Sequence, residues 1–203
     1  PADYNGVFEA NSLANTRIDF TFNGRASHAA AAPDLGRSAL DAVELMNVGV
    51  NYMREHMPDG ARVHYAYLDA GGVAPNVVQA KATVRQLIRA QTNRELLDLV
   101  ARVRKIAQGA ALMTETTVSE QVVSAVSNLL GNSVLDRLMQ AHMDRLGPVS
   151  YDDADRAFAQ AIRSTLTPTH VSETFRRLQR PLDADLPLCD FVAPLGAALP
   201  GGQ

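Results

Sequence analysis

Two periodicities take turns along residues 17–126, and their order limits the folds open to this chain. In 17–23, RIDFTFN, residues Ile18, Phe20 and Phe22 point one way and Arg17, Asp19 and Thr21 the other, the period of a half-buried strand. From Ser38 to Met57 the period lengthens. Val43, Met46, Val50, Met53 and Met57 recur at three- and four-residue spacing, one apolar stripe along a helix. After the turn Pro58-Asp59-Gly60, residues 62–68 alternate again, with Val63, Tyr65 and Tyr67 set against Arg62, His64 and Ala66. Residues 77–89 repeat the pattern. Ala80, Ala82, Val84 and Ile88 share one face; Lys81, Thr83, Arg85, Leu87 and Arg89 share the other. A second helix, capped by Thr92 or Asn93, runs to about Met113, with Leu96, Leu99, Val100, Val103, Ala107 and Ala110 as its core stripe. Residues 116–126 close the series as a fourth strand. The order β-α-β-β-α-β predicts an α+β, ferredoxin-like sandwich: a four-stranded antiparallel sheet with both helices on one face.

Past residue 126 the pattern changes, so the chain divides into 17–126 and 127–203. Residues 133–146 read as a helix with Leu135, Leu138, Met139 and Met143 on its apolar side, broken by Gly147-Pro148. Ser150 and Asp153 resemble a capping box for the helix that follows. Beyond Thr167 come Pro168, Pro181, Pro187, Pro194 and Pro200, and the chain ends ALPGGQ.

Composition narrows the function classes. The 203 residues carry a net charge of −3 with no basic run, which argues against nucleic acid or an anionic membrane as partner. No apolar stretch approaches the ~20 residues of a membrane-spanning helix. PADYNGVFEANS has neither the basic nor the apolar region of a secretory signal, and the single Cys189 fits a reducing compartment, so a cytoplasmic location is expected.

Five histidines are present, and none forms a His-Glu-x-x-His zinc helix. His142 and Asp144 lie within a helix, where residues two apart do not face each other. Asp152, Asp153 and Asp155 suit a helix N-terminus on dipole grounds alone. Cys189 has no identified base to make it a nucleophile. No metal site is expected within this chain. His28 stands apart, in the loop SHAAAAP after the first strand, where small neighbours leave an imidazole free to donate to a developing oxyanion. Asn76 follows a Gly-Gly turn, where Asn is also common for backbone reasons. Arg85 and Arg89 lie on the strand face away from the core, and a guanidinium fork suits a carboxylate. Gly71-Gly72 lacks the pattern of a phosphate loop.

The stretches GRASHAAAAPDLGRSALDAVELMN, DAGGVAPNVVQAKATVRQLIRA and VRKIAQGAALMTETT, in that order and spacing, resemble the dimerisation (lid) domain of the zinc-dependent aminoacylase and carboxypeptidase superfamily. The resemblance covers about residues 17–130 and continues more weakly beyond. It implies a two-domain, homodimeric amidohydrolase with two zinc (or manganese) ions held by a catalytic domain. The implied substrate is a small molecule with an amide bond to glutamate, such as p-aminobenzoyl-glutamate. His28 would stabilise the tetrahedral intermediate from across the dimer; Asn76 and Arg89 would hold the substrate carboxylate. Family metal ligands lie upstream of the lid and near the end of the catalytic domain. The chain is therefore expected to be the lid plus a strip of the catalytic domain, inactive by itself. Gln79 departs from the proline usual after NVV in the family. The strand at 62–68 is the expected dimer edge. The contrasting expectation is a free-standing ferredoxin-like module that binds a small ligand or regulates a partner.

Overall fold

The computed structural model describes residues 5–7, 12–177 and 188–196. Pro181, Pro187, Pro200 and the terminal ALPGGQ lie outside the described residues. Two compact units are present, Leu13–Asn128 and Pro1–Ser12 with Leu129–Gln203.

The unit Leu13–Asn128 is the α+β sandwich. Its elements are β1 (Ala14–Asn23), α1 (Ala39–Met53), β2 (Arg62–Asp69), β3 (Lys81–Ala90), α2 (Asn93–Met113) and β4 (Thr117–Val126). All strand pairs are antiparallel, and the spatial order is β2-β3-β1-β4. The alternation of β1 is realised fully. Ile18, Phe20 and Phe22 are buried against the helices, each contributing about 1.5–3 kcal/mol of apolar burial. From α1 come Ala39, Ala42, Val43, Met46, Val50 and Met53; from α2 come Leu96, Leu99, Val100, Val103, Ala107 and Ala110. Ser38 caps α1 by accepting from the Asp41 N–H at 3.0 Å. Thr92 caps α2 in a full capping box with Glu95.

Several expectations need correction. The helix expected over 38–57 ends at Met53, and its last turn tightens to a 3-10 turn over Arg54–His56. Tyr65 and Tyr67, which share a face with the buried Val63, are 39% and 43% exposed. β2 is an edge strand and only Val63 reaches beneath the helices. Gln86, absent from the expected core face of β3, is fully buried. Its Nε2 donates to Oδ1 of Asn47, an α1 residue also absent from the expected stripe, at 2.9 Å. On β4, Glu120 sits opposite the buried Phe20, and α2 supplies Arg104 to pair with it at 2.6 Å. That hydrogen bond holds the Arg104 guanidinium above its ordinary pKa, against the opposing pull of burial.

The second unit contains α3 (Ser133–Leu146), α4 (Asp153–Arg163) and α5 (Pro168–Arg177). The box before α4 is formed by Asp152 and Asp155, not by Ser150 and Asp153, because Asp152 takes the extended N-cap conformation. Leu135, Leu138 and Met139 remain 59%, 54% and 56% exposed, whereas Met143 is half-buried, so the apolar side of α3 is only partly covered.

Candidate functional site

The loop that follows β1 is tied down at each step. Gly24 N–H donates to the Ala80 carbonyl at 2.8 Å, and Arg25 and Arg37 exchange both backbone bonds at 2.9 Å. A Cβ on Gly24 would land on the Arg37 carbonyl oxygen, so this approach requires glycine. Farther out, the Ser27 carbonyl accepts from Val78 N–H at 3.0 Å, and Ala29 N–H donates to the Asn76 carbonyl at 2.9 Å. His28 and Asn76 therefore sit on two adjoining loop segments, with His28 bridged to Val77. On the far side, Ala39 N–H donates to the Gln79 carbonyl at 2.8 Å and Ser38 Oγ donates to Gln79 Oε1 at 3.3 Å. A proline at this position would lack that amide side chain. Gly71, with φ of +88°, lets the AGGVAPN turn fold back beside Gln79.

These segments border a shallow depression of about 260 Å³, lined by residues that include Ala29, Pro33, Ser38, Pro75, Val77 and Gln79. His28 is exposed at its margin. Its Nδ1 accepts from the N–H groups of Ala30 (3.3 Å) and Ala31 (3.1 Å). With both contacts arriving at Nδ1 as donors, the neutral ring carries its proton on Nε2. The Nε2–H is then free to donate, the property an oxyanion stabiliser needs. Asn76 is exposed, and its side chain has no partner among the described residues.

The arginines part company. Arg85 cannot present its fork to a ligand as the chain stands, because Nε and Nη2 already grip the two Asp19 oxygens at 2.6 and 2.8 Å. That hydrogen bond raises its pKa above the ordinary guanidinium value. Arg89 is half-buried and bonded to no described residue. It lies eight residues beyond Lys81 on β3, about 26 Å at the usual strand rise. The fold thus brings His28 and Asn76 together and sets Arg89 at the opposite end of the sheet.

The other candidates are engaged locally. His142 Nδ1 lies 3.0 Å from Arg145 Nη2, Gln140 donates to Asp144 at 2.9 Å, and Asp152 and Asp155 cap α4. Cys189 Sγ accepts from Asn5 N–H at 3.4 Å. No three His, Cys, Asp or Glu side chains converge among the described residues, so these residues do not fit a metal centre. No helix among them is long and apolar enough to cross a membrane. The alternation of 62–68 and 77–89 gave each strand its faces but not its neighbours. The sequence reading therefore missed Arg62, which the strand register sets directly opposite Arg89.

Comparisons with known proteins bear on this arrangement. The chain is 46% identical to a component of the p-aminobenzoyl-glutamate hydrolase of Escherichia coli (strain K12), across 82% of this chain and 35% of that protein. It is 31% identical to a Mus musculus Xaa-Arg dipeptidase, across 66% of this chain and 31% of that protein. It spans about a third of the length of these curated relatives. A crystal structure of the aminobenzoyl-glutamate utilization protein from Klebsiella pneumoniae superposes with a TM-score of 0.58 at 23% identity, covering 71% of this chain and 37% of that one. At that identity the likeness speaks for the fold alone. Residues 12–114 match the peptidase dimerisation domain of the M20 family, more than half of the chain. The chain belongs to the M20 peptidase dimerisation-domain family.

Proposed function

We propose that this chain is the dimerisation and substrate-clamping part of a metal-dependent amidohydrolase that cleaves an amide bond to glutamate, p-aminobenzoyl-glutamate being the model substrate. The observation that carries the reading is the pinned His28 ring beside Asn76, in a domain of this family. Its free Nε2–H suits the oxyanion of a tetrahedral intermediate, and the Asn76 amide suits a substrate oxygen. Residues 127–203 are proposed to belong to the catalytic domain, consistent with the exposure of Leu135, Leu138 and Met139 on α3. Zinc or manganese chemistry is assigned to other parts of that enzyme, and this chain alone is expected to be inactive.

The separation of Arg89 from His28 has a consequence for this reading. A glutamyl amide cannot bridge the length of β3 from Lys81, beside the His28 loop, to Arg89, about 26 Å. If His28 and Arg89 both serve one substrate, they come from two different chains. A homodimer supplies that pairing, and β2 is the proposed interface. Its pairing with β3 is regular over 62–67 and shifts only between Tyr67 and Asp69, so the strand is regular along most of its length. The other edge, β4, carries its irregularity in the middle of the strand, which blunts edge pairing. The exposed Tyr65 and Tyr67, packed edge-to-face at 6.4 Å, flank the β2 edge.

Kinetics of the complete hydrolase test the reading. His28→Ala is expected to lower kcat by about 10²–10³ with little change in KM; an unchanged kcat refutes the oxyanion role. Co-expressed His28→Ala and Arg89→Gln chains are expected to recover part of the activity each variant lacks, because a mixed dimer contains one intact site. Sedimentation of the 203-residue chain at micromolar concentration is expected to show a dimer that Tyr65→Lys with Tyr67→Lys dissociates.

A further inference from the structure

The face of the sheet away from the helices is polar, and its cations are unevenly matched. Arg85 is paired with Asp19. Beyond that pair, toward the Ala14 end, β1, β2 and β3 place Arg17, Arg62 and Arg89 on this face. No Asp or Glu of these strands lies among them. The register makes two cross-strand rows. Asn15, Arg89 and Arg62 stand side by side in one, and Arg17, Leu87 and His64 in the next. Directly opposite residues have Cβ atoms about 5 Å apart, and like charges in that relation destabilise a sheet. Arg62 is steadied by neutral groups only, its Nη1 donating to the carbonyls of Asp59 (2.6 Å) and Ala61 (2.7 Å). The side chains of Arg17 and Arg89 have no hydrogen bond or ion pair to any described residue. Arg62 and Arg89 thus stand opposite in register, with no acidic side chain paired to either among the described residues and with the apolar Leu87 in the neighbouring row.

We infer that Arg62 and Arg89 together form a dicarboxylate site, in which one guanidinium takes the α-carboxylate of a glutamyl group and the other its side-chain carboxylate. Arg17, diagonal to Arg89, adds positive potential. The inference rests on the substrate-clamping function proposed above, with Arg89 in the carboxylate-holding role that the family resemblance implies, and adds a specificity determinant to it. Arg89 alone recognises any amino acid with a free carboxylate. The Arg62–Arg89 pair selects an acidic one and repels a basic one. Spacing supports the match: a neighbouring cross-strand pair suits carboxylates on one small molecule, whereas Arg85 is already occupied by Asp19.

Titration of the 203-residue chain with N-acetylglutamate and with N-acetylglutamine, read at the arginine Nε–Hε signals by NMR at low salt, tests this. N-acetylglutamate is expected to bind about three- to fivefold more tightly, as suits an additional exposed ion pair, and to move both the Arg62 and Arg89 signals. The preference shrinks as salt is raised. Arg62→Gln is expected to abolish the preference, the affinity for N-acetylglutamate falling to that for N-acetylglutamine, and Arg62→Lys to keep part of it. Backbone amide spectra of each variant report whether the fold is intact. Equal affinities in the parent chain, or a preference that survives Arg62→Gln, overturn the pair. In that case Arg89 signals that still respond to both ligands leave the one-carboxylate reading standing. Arg89 signals that respond to neither overturn that reading as well.

Discussion

Replacing the buried amide pair of the core should make this domain more stable. Asn47 and Gln86 share one hydrogen bond of 2.9 Å, while Asn47 Nδ2 and Gln86 Oε1 are buried without partners. Gln86→Met removes one orphan but creates another, since Asn47 Oδ1 loses its donor. Two unpaired atoms remain and a bond worth about 1 kcal/mol is lost, partly offset by the apolar methionine. Asn47→Leu behaves alike. Each single variant should therefore lie within about 1 kcal/mol of the parent. The double variant leaves no orphan. Relief of two unpaired atoms at about 1–3 kcal/mol each outweighs the lost bond, and the shape-matched side chains cost under about 1.5 kcal/mol in repacking. The net expectation is stabilisation of about 2 kcal/mol, or roughly 8 °C in the melting temperature of a domain this size. Hydrogen exchange of the β1 and β3 amides, which reads this unit separately, is the assay. A double variant less stable than the parent, or single effects that simply add, would refute the orphan count and mean that the amides have a further partner such as bound water.

Three other perturbations probe the frame of the site. Glu115 adopts a left-handed conformation with φ of 53° and pairs with Arg37 at 2.8 Å on the surface. Relief of about 1 kcal/mol of backbone strain in Glu115→Gly outweighs the few tenths that an exposed ion pair contributes, so the melting temperature should rise by a few degrees; a fall argues that the pair dominates. Gly24→Ala drives a methyl into the Arg37 carbonyl and should cost about 2 kcal/mol or more while displacing the His28 loop. Unchanged stability and an unchanged His28 ring spectrum would contradict that close approach. Thr92→Ala removes one half of the α2 capping box and should cost about 1 kcal/mol, read as faster exchange of the first-turn amides.

Much of the candidate site was legible in the chain. His28 drew notice because a histidine among alanines and a proline has little core to join, and Asn76 because it closes a Gly-Gly turn. What could not be read was their state. The tautomer of His28 depends on the N–H groups of Ala30 and Ala31 turning back onto Nδ1, a property of loop geometry. Arg85 and Arg89 look equivalent in sequence, four residues apart on one face. Only the Asp19 side chain on the neighbouring strand distinguishes them, by occupying one and not the other.

The order of strands and helices over residues 17–126 was set by the sequence itself, because periods of two and of 3.6 are local properties that survive without knowledge of any partner. Caps and turns at Ser38, Thr92 and Pro58-Asp59-Gly60 are local in the same sense. Tertiary structure decided what periodicity cannot encode: which strands lie side by side, and in what register. That arrangement left Tyr65 and Tyr67 of the β2 edge outside, although they alternate in step with the buried Val63. It drew Gln86 into the core, where Asn47 on a helix 39 positions away supplies its bond. It also set Arg62 against Arg89 and placed Arg89 far from His28. Hydrogen bonding between strands is non-local, so these pairings exist only once the sheet is assembled.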